Sequence, residues 1–190
     1  MNKISGKKSD FALLREDASR VIIGYGLKKV TGKSLYEWYE VYQYKRQNSQ
    51  LSFQIVKDAI LNDINEQTDM KILSGFVWTP EGGEPINVWL SAENQRNFSE
   101  AQRMAEKYGS MILPLTFKLG EADDEQPVYH TFETVEELDS FYTQAFSFVN
   151  QCLNEGWQRK DAIDWAPYEA LFPEPEPMPT NEEEEVVEEP

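Results

Sequence analysis

The stretch that decides the fold runs from Phe76 to Gly109 and reads FVWTPEGGEPINVWLSAENQRNFSEAQRMAEKYG. Two short runs at 76–79 and 86–90 are rich in β-branched and aromatic residues, and the glycines between them can adopt positive φ. This pattern predicts a β-hairpin. Ser91 then provides an N-cap for a helix that ends at Gly109, a residue suited to a helix C-terminus. The apolar face of that helix carries Phe98, Ala101, Ala105 and Tyr108.

The same order of elements is repeated further along the chain. Residues 111–119 and 128–132 predict a second hairpin. Thr134 and Glu137 are spaced as a capping box and predict a helix from residue 135 to about residue 155. Its buried stripe is expected to contain Leu138, Phe141, Tyr142, Ala145, Phe148, Val149 and Cys152. Short hairpin links favour four mostly antiparallel strands with both helices on one face, a ββαββα two-layer arrangement of the α+β class.

The N-terminal part, residues 1–73, is predicted to be a helical region. A polar cap at residues 9–10 precedes apolar residues at intervals of three and four up to Gly24, which predicts a first helix. The segment SLYE at 34–37 has capping-box spacing and predicts a second helix up to about residue 47. A third amphipathic stretch carries Phe53, Val56, Ile60 and Ile64.

The C-terminal end of the chain is strongly acidic. Residues 173–190 contain five prolines, eight glutamates and no basic residue. Such a segment buries too little apolar surface to offset the entropy of ordering, and its like charges repel. We therefore expect three parts: a helical region at 1–73, a two-layer domain at 74–172 and a disordered acidic tail at 173–190.

Composition excludes several classes of function. The 190 residues include 18 Lys and Arg against 34 Asp and Glu, for a formal net charge of -16. Because phosphate backbones are bound mainly through Lys and Arg, we expect no nucleic-acid partner. The longest apolar runs fall far short of the ~20 residues that cross a bilayer, and the N-terminus is polar, so we expect neither a membrane partner nor a signal peptide. Because the sequence has a single cysteine and a single histidine, an internal disulfide and a site with two imidazoles are both excluded.

The segment Gly32-Lys33-Ser34 invites comparison with a phosphate-binding loop. That motif needs a glycine five residues before Gly32, where this chain has Leu27, and it needs a preceding strand where a helix is predicted. We therefore interpret the segment as a glycine turn with a serine cap, and we expect no cofactor.

Three further candidate sites are better explained by structural roles than by chemistry. His130 has no Ser, Cys or carboxylate at a local spacing that suggests activation, so we expect a solvent-facing or hydrogen-bonded strand histidine. Cys152 falls on an apolar helical stripe and is expected to be buried. The acidic loop lacks the alternating ligands and central glycine of a calcium-binding hand, which favours a solvated turn. The loop carboxylates are Glu121, Asp123, Asp124 and Glu125.

An excess of aromatic residues marks the second predicted helix. Five aromatic residues, Tyr36, Trp38, Tyr39, Tyr42 and Tyr44, precede Lys45 and Arg46. Aromatics interleaved with basic residues can stack nucleobases, but the net charge favours packing or a subunit contact. One buried stripe of a helix cannot hold all five aromatic rings. We therefore predict that Tyr36, Val41 and Tyr44 contact a partner, either a second copy or another protein.

Four segments carry a family resemblance: FVW at 76–78, YHTF at 129–132, TVEEL at 134–138 and GWQRKDAI at 156–163. Their order over about residues 75–165 resembles an uncharacterised domain family of tail-fibre and tail-associated proteins of phages and prophages. The first half of the chain resembles proteins of gut Bacteroides and their phages. The resemblance implies a structural or assembly role and no catalytic residues.

We therefore expect a non-enzymatic phage or prophage protein, a component of the virion tail or head-to-tail region that acts through protein contacts. Its partners would be other virion or host proteins, with homo-oligomers or larger assemblies expected, and its location the virion or the host cytoplasm. The alternative is an acidic inhibitor that mimics nucleic acid, which requires rigid rows of carboxylates at phosphate-like spacing.

Overall fold

The computed structural model describes residues 2–44, 50–122 and 124–173. The described strands are β1 (Asn2–Gly6), β2 (Leu14–Glu16), β3 (Arg20–Lys29), β4 (Tyr36–Tyr44), β5 (Phe76–Trp78), β6 (Ile86–Val88), β7 (Leu115–Glu121) and β8 (Pro127–Phe132). The described α-helices are α1 (Phe53–Leu73), α2 (Ala92–Tyr108), α3 (Val135–Asp161) and α4 (Ala166–Glu169), with short 3-10 turns at Lys8–Asp10 and Gly109–Ile112.

The prediction of helices before residue 48 is wrong, because residues 2–44 form an antiparallel sheet of order β1-β4-β3-β2. The capping-box spacing at 34–37 was misleading. Residues 31–34 instead belong to the turn between β3 and β4, in which Gly32 has a φ of 74°. Tyr, Trp, Val and Ile dominate β3 and β4, and these residue types fit a pleated, half-buried surface better than a helix.

Both faces of this N-terminal sheet are covered, which hides the alternation expected of a strand. On one face Tyr25 stacks on Tyr39, with ring centroids 5.4 Å apart. On the other face Trp38 is 2% exposed and lies edge-to-face with Phe11 of the β1–β2 connection. Gly24 permits this connection to lie on the sheet, since a Cβ there would be 2.3 Å from the Ala12 carbonyl oxygen.

The third predicted helix is confirmed as α1, which continues to Leu73. Ser52 caps it by accepting a hydrogen bond from the Ile55 N–H. Its buried residues pack against the N-terminal sheet and form the first core. That core contains Val21, Ile23, Tyr25, Val56, Ala59, Ile60, Ile64 and Tyr168.

The predicted order of elements after residue 74 is confirmed. Strands β5 and β6 form one antiparallel hairpin, and β7 and β8 form another. The Trp89 N–H donates to the Leu119 carbonyl oxygen at 2.7 Å, which joins the hairpins edge to edge. The close approach of the two hairpins requires a glycine at position 120, because a Cβ on Gly120 would be 2.2 Å from the Asn87 carbonyl oxygen. We call this four-strand layer the C-terminal sheet.

Helices α2 and α3 cover one face of the C-terminal sheet. Phe141 of α3 contacts Trp78 of β5, Phe98 of α2 and Phe132 of β8, with ring centroids 4.9–5.0 Å apart. Ile72, near the end of α1, is also part of this second core, so α1 lines both cores. The predicted caps are present: Ser91 and Thr134 accept hydrogen bonds from the N–H groups of Asn94 and Glu137. Helix α3 extends to Asp161, six residues past its predicted end.

The described chain ends after α4. The Tyr168 hydroxyl donates to the Gly24 carbonyl oxygen at 2.7 Å, which holds α4 against the first core. The prediction of a disordered tail concerns residues 173–190, and all but Pro173 lie outside the described residues.

Candidate functional site

The predicted interface residues lie on β4 and not on a helix, so they face differently from what the sequence suggested. Tyr36 and Tyr44 share the face of the N-terminal sheet that points away from α1, and Tyr44 is 76% exposed. Val41 points to the opposite face and packs against the first core. Strand geometry therefore separates Val41 from the two tyrosines, and Lys45 and Arg46 lie outside the described residues.

A buried carboxylate lies on the same outer face. Glu40 is 8% exposed, and its Oε1 accepts hydrogen bonds from Arg15 Nη2 at 2.7 Å and from Trp38 Nε1 at 3.1 Å. These two donors compensate for the loss of water around the charge. The ion pair between Arg15 and Glu40 links β2 to β4.

A polar junction connects the N-terminal sheet to the helices. The Tyr25 hydroxyl donates to Asp63 Oδ2 at 2.6 Å. Gln67 Nε2 donates to the same carboxylate oxygen at 2.6 Å and lies 3.1 Å from the tyrosine oxygen. Burial, followed by the hydrogen bond to Asp63, raises the pKa of Tyr25 far above its ordinary value. The phenol is therefore held in its protonated form.

Arg159 of α3 completes this junction. Its Nη2 donates to Gln67 Oε1 at 2.7 Å, and its guanidinium carbon lies 4.7 Å from the centroid of the Tyr39 ring. One cation thus contacts an amide of α1 and an aromatic ring of β4. Sequence reasoning missed this arrangement because its members come from distant parts of the chain; Gln67 and Arg159, for example, are 92 residues apart. No buried side-chain N or O atom among the described residues lacks a hydrogen-bond partner, which favours a structural role for this junction.

His130 has a carboxylate partner that the sequence analysis did not identify. Its Nε2 lies 2.9 Å from Glu137 Oε1, and the imidazole packs edge-to-face on Trp78 with centroids 4.8 Å apart. The expectation of a hydrogen-bonded strand histidine is confirmed, but the expectation of no local carboxylate is wrong. Glu137 was assigned to the cap of α3, whereas its side chain contacts His130 and the Glu133 N–H.

The remaining candidates are structural as far as the chain is described. Cys152 is 2% exposed, and burial raises the pKa of its thiol. The Gly32 turn precedes a strand, so it provides no helix N-terminus for a phosphate. In the acidic loop Glu121 pairs with Lys118 at 2.8 Å, and Asp123 lies outside the described residues. Over residues 2–44, 50–122 and 124–173, no three His, Cys, Asp or Glu side chains are grouped to hold a metal ion.

Large apolar side chains are exposed on the outer face of the C-terminal sheet, opposite α2 and α3. Val77 is 66% exposed, Trp89 37% and Tyr129 62%. Lys118 Nζ lies 5.4 Å from the Trp89 ring centroid, and Lys118 is the cross-strand neighbour of Tyr129. Thr116 and Thr131 hydroxyls hydrogen-bond at 2.8 Å beside them. We call these residues the outer sheet surface.

The structure has one concave region beside the N-terminal sheet and another between α2 and α3. A cavity of about 600 Å³ lies between α1 and the ends of β3 and β4, and Tyr44, Gln43 and Asp58 are among its lining residues. A groove of about 360 Å³ between α2 and α3 is mainly apolar. Its lining includes Leu90, Phe98, Tyr142, Phe146, Val149 and Leu153.

Residues 55–182 match a family described as Domain of unknown function (DUF4376). The chain belongs to the DUF4376 family. The DUF4376 match begins in α1 and includes the whole C-terminal sheet, α2 and α3, whereas the N-terminal sheet lies before it. No curated protein and no solved structure matches the chain. Among the described residues, no helix combines the length and apolarity that crossing a bilayer requires.

Proposed function

We propose that this DUF4376 protein is a non-enzymatic structural or assembly protein of a phage or prophage, acting through protein–protein contacts in the tail or head-to-tail region of the virion. It would be found in the virion or in the host cytoplasm during assembly. Its partners would be other virion or host proteins, including further copies of itself. The resemblance of residues 75–165 to tail-associated proteins supplies the phage context.

The observation that carries the proposed contact role is the outer sheet surface. A two-layer domain leaves one sheet face open to solvent, and such a face is ordinarily polar. Here three large apolar side chains, Val77, Trp89 and Tyr129, are exposed together with a lysine. Aromatic residues with polar edges are enriched in protein interfaces, where they supply apolar area and keep hydrogen bonds at the rim.

Ion pairing favours this role over nucleic-acid mimicry. A mimic must present carboxylates whose charge is free to face a basic partner. Several carboxylates of the described surface are instead paired with neighbouring cations of the chain. These pairs are Lys3–Glu37, Arg20–Asp17, Lys71–Glu155, Arg103–Glu100 and Lys118–Glu121.

The test is mass spectrometry of virions purified from the phage or lysogen that encodes the chain. The wild-type protein should be present at a fixed number of copies per particle. The double substitution Trp89→Ser and Tyr129→Ser should lower incorporation at least tenfold while the free protein stays folded by circular dichroism. Tyr108→Ser is the matched control, because Tyr108 is 40% exposed at the end of α2, away from the sheet.

A second pair of substitutions tests the interface that the sequence predicts on β4. Tyr36→Ser with Tyr44→Ser should reduce incorporation if the outer face of the N-terminal sheet also contacts a partner. Absence of the wild-type protein from intact particles and from assembly intermediates would refute the proposed function. Unchanged incorporation of both double variants would refute the contact surfaces.

A further inference from the structure

Helix α3 carries an exposed stripe that no described element covers. Phe146 is 57% exposed and Trp157 is 53% exposed. They are eleven residues apart, which is close to three full turns at ~3.6 residues per turn, so both rings point in the same direction. Asn150 and Leu153 lie between them on the same face. We call the face from Tyr142 to Trp157 that contains these residues the α3 stripe.

We infer that a second copy of this chain pairs with the α3 stripe in an antiparallel, two-fold symmetric arrangement. The pairing places Trp157 of each copy against Phe146 of the other, in the groove between α2 and α3. Its two-fold axis passes midway between Asn150 and Leu153, so Asn150 of one copy faces Leu153 of the other. The contact is isologous, since each copy provides the same anchor and the same groove.

The groove has the size and chemistry to accept the anchor. Its volume of about 360 Å³ exceeds what an indole occupies, and its lining is mainly apolar. Phe146 borders the groove and forms a stack with Tyr142, with centroids 6.1 Å apart. A tryptophan that enters a preformed apolar pocket is the type of contact that dominates binding energy in protein interfaces.

The charge distribution favours a second copy as the occupant. Two chains that each carry a net charge of -16 repel one another over most of their surfaces. On the α3 stripe, every residue between Tyr142 and Trp157 is uncharged. Glu155, on the opposite side of the helix, is paired with Lys71. The groove lining adds one cation, Arg96. Self-association at the stripe therefore brings no carboxylates of the stripe together, whereas a basic partner would meet a like charge at Arg96.

The expected contact is small. Sixteen residues of helix extend about 24 Å at ~1.5 Å per residue, and the flanking part of α2 adds to the width. Such a patch falls at the low end of specific interfaces, so we expect dissociation constants in the micromolar range. This inference deepens the proposed assembly role by naming the surface through which copies associate.

Sedimentation equilibrium of the purified full chain, from about 5 µM to about 500 µM, tests this pairing. The wild-type protein should shift from monomer mass to dimer mass over that range. Trp157→Ala should weaken the dimer by about 100-fold, because a symmetric interface loses the anchor twice. Tyr108→Ser is the matched control: Tyr108 is an exposed aromatic at the end of α2, outside the α3 stripe, and its loss should leave the dimer unchanged.

Cross-linking gives an independent geometric test. In the proposed pairing the two Asn150 Cα atoms are separated by about 4.5 Å along the helix axes and by the usual ~8–10 Å between packed helices. Asn150→Cys should therefore form dimers with a short bismaleimide, whereas Ser110→Cys, at an exposed position in the turn after α2, should not. The native Cys152 is buried and should not react.

Monomer mass at 500 µM would overturn the pairing. Dimers that persist unchanged in Trp157→Ala would also overturn it, because the chain would then associate through another surface. Because these measurements use purified protein, their failure is distinct from absence of the chain from virions, which would refute the proposed function instead.

Discussion

Truncation of Leu138 tests whether α3 is packed on the C-terminal sheet as described. Leu138 is fully buried in the second core. Leu138→Ala removes three carbon atoms from that core, which loses about 2 kcal/mol of transfer free energy at ~0.8 kcal/mol per methylene. A residual cavity of about 50–70 Å³ adds about 1–2 kcal/mol at ~24 cal/mol per Å³. We therefore expect the free energy of unfolding to fall by about 3–4 kcal/mol.

Urea unfolding followed by far-ultraviolet circular dichroism measures this change. The midpoint should fall with little change in the slope, and the melting temperature should fall by about 10 °C at ~2–4 °C per kcal/mol. Leu73→Ala is the matched control, because Leu73 is also helical but 52% exposed, and it should cost less than about 1 kcal/mol. Equal losses for the two variants would refute the packing of α3 on the sheet.

Three other predictions address the backbone, alkaline pH and a buried charge. Gly75→Ala should lower the free energy of unfolding by about 3 kcal/mol or more in urea titrations, since φ is 78° and a Cβ would be 1.8 Å from a backbone oxygen. Gly82→Ala, at a φ of 69° in open space, should cost only about 1–2 kcal/mol. Burial raises the pKa of Tyr168 to about 12. Because the folded-state pKa is raised above the unfolded one, this contribution to the free energy of unfolding is complete below pH ~10 and about 3 kcal/mol of it should be lost as the pH rises to ~12. The loss should be smaller in Tyr168→Phe. Arg15→Ala should cost about 1–3 kcal/mol by leaving Glu40 without its cation, and Glu40→Gln in the same chain should recover part of this in thermal melts.

The second half could be predicted because its signals are local. Ser91 and Thr134 cap helices with side chains that contact N–H groups three residues away, and Gly109 ends α2 with a φ of 59°. These contacts depend only on nearby sequence, so spacing identifies them. The hairpins follow from short β-rich runs separated by glycine and proline.

The N-terminal sheet could not be predicted by the same reasoning, because its strands are apolar on both faces. Trp38 contacts Phe11 on one face, and Tyr39 packs against the first core, which contains residues of α1, on the other. A strand buried on both faces shows no alternation of apolar and polar residues, so its period cannot be told from that of a helix. The run of β-branched residues at 21–23, followed by Gly24, is typical of a strand and was the local signal against a helix.

The contacts of the candidate sites depend on the fold and were missed for that reason. His130 and Glu137 are close in sequence, yet they meet only because β8 leads directly into α3. Arg159 reaches Gln67 across 92 residues, and no spacing rule indicates that pair. Of the two tyrosines predicted to reach a partner, Tyr44 is exposed, but the exposure of Trp89, Tyr129, Phe146 and Trp157 was not predicted because it depends on strand pairing and helix packing.

The polar junction explains how the N-terminal sheet is joined to the DUF4376 match, which begins after the sheet. Val56, Ile60 and Ile64 of α1 lie inside the match, and the N-terminal sheet buries all three completely. Exposing each of them would cost about 1.5–3 kcal/mol, so this face of α1 needs a cover. Apolar burial alone leaves the orientation of a cover loosely defined. Arg159, fixed between Gln67 and the Tyr39 ring, supplies the directional contact that sets how the sheet sits on the helices.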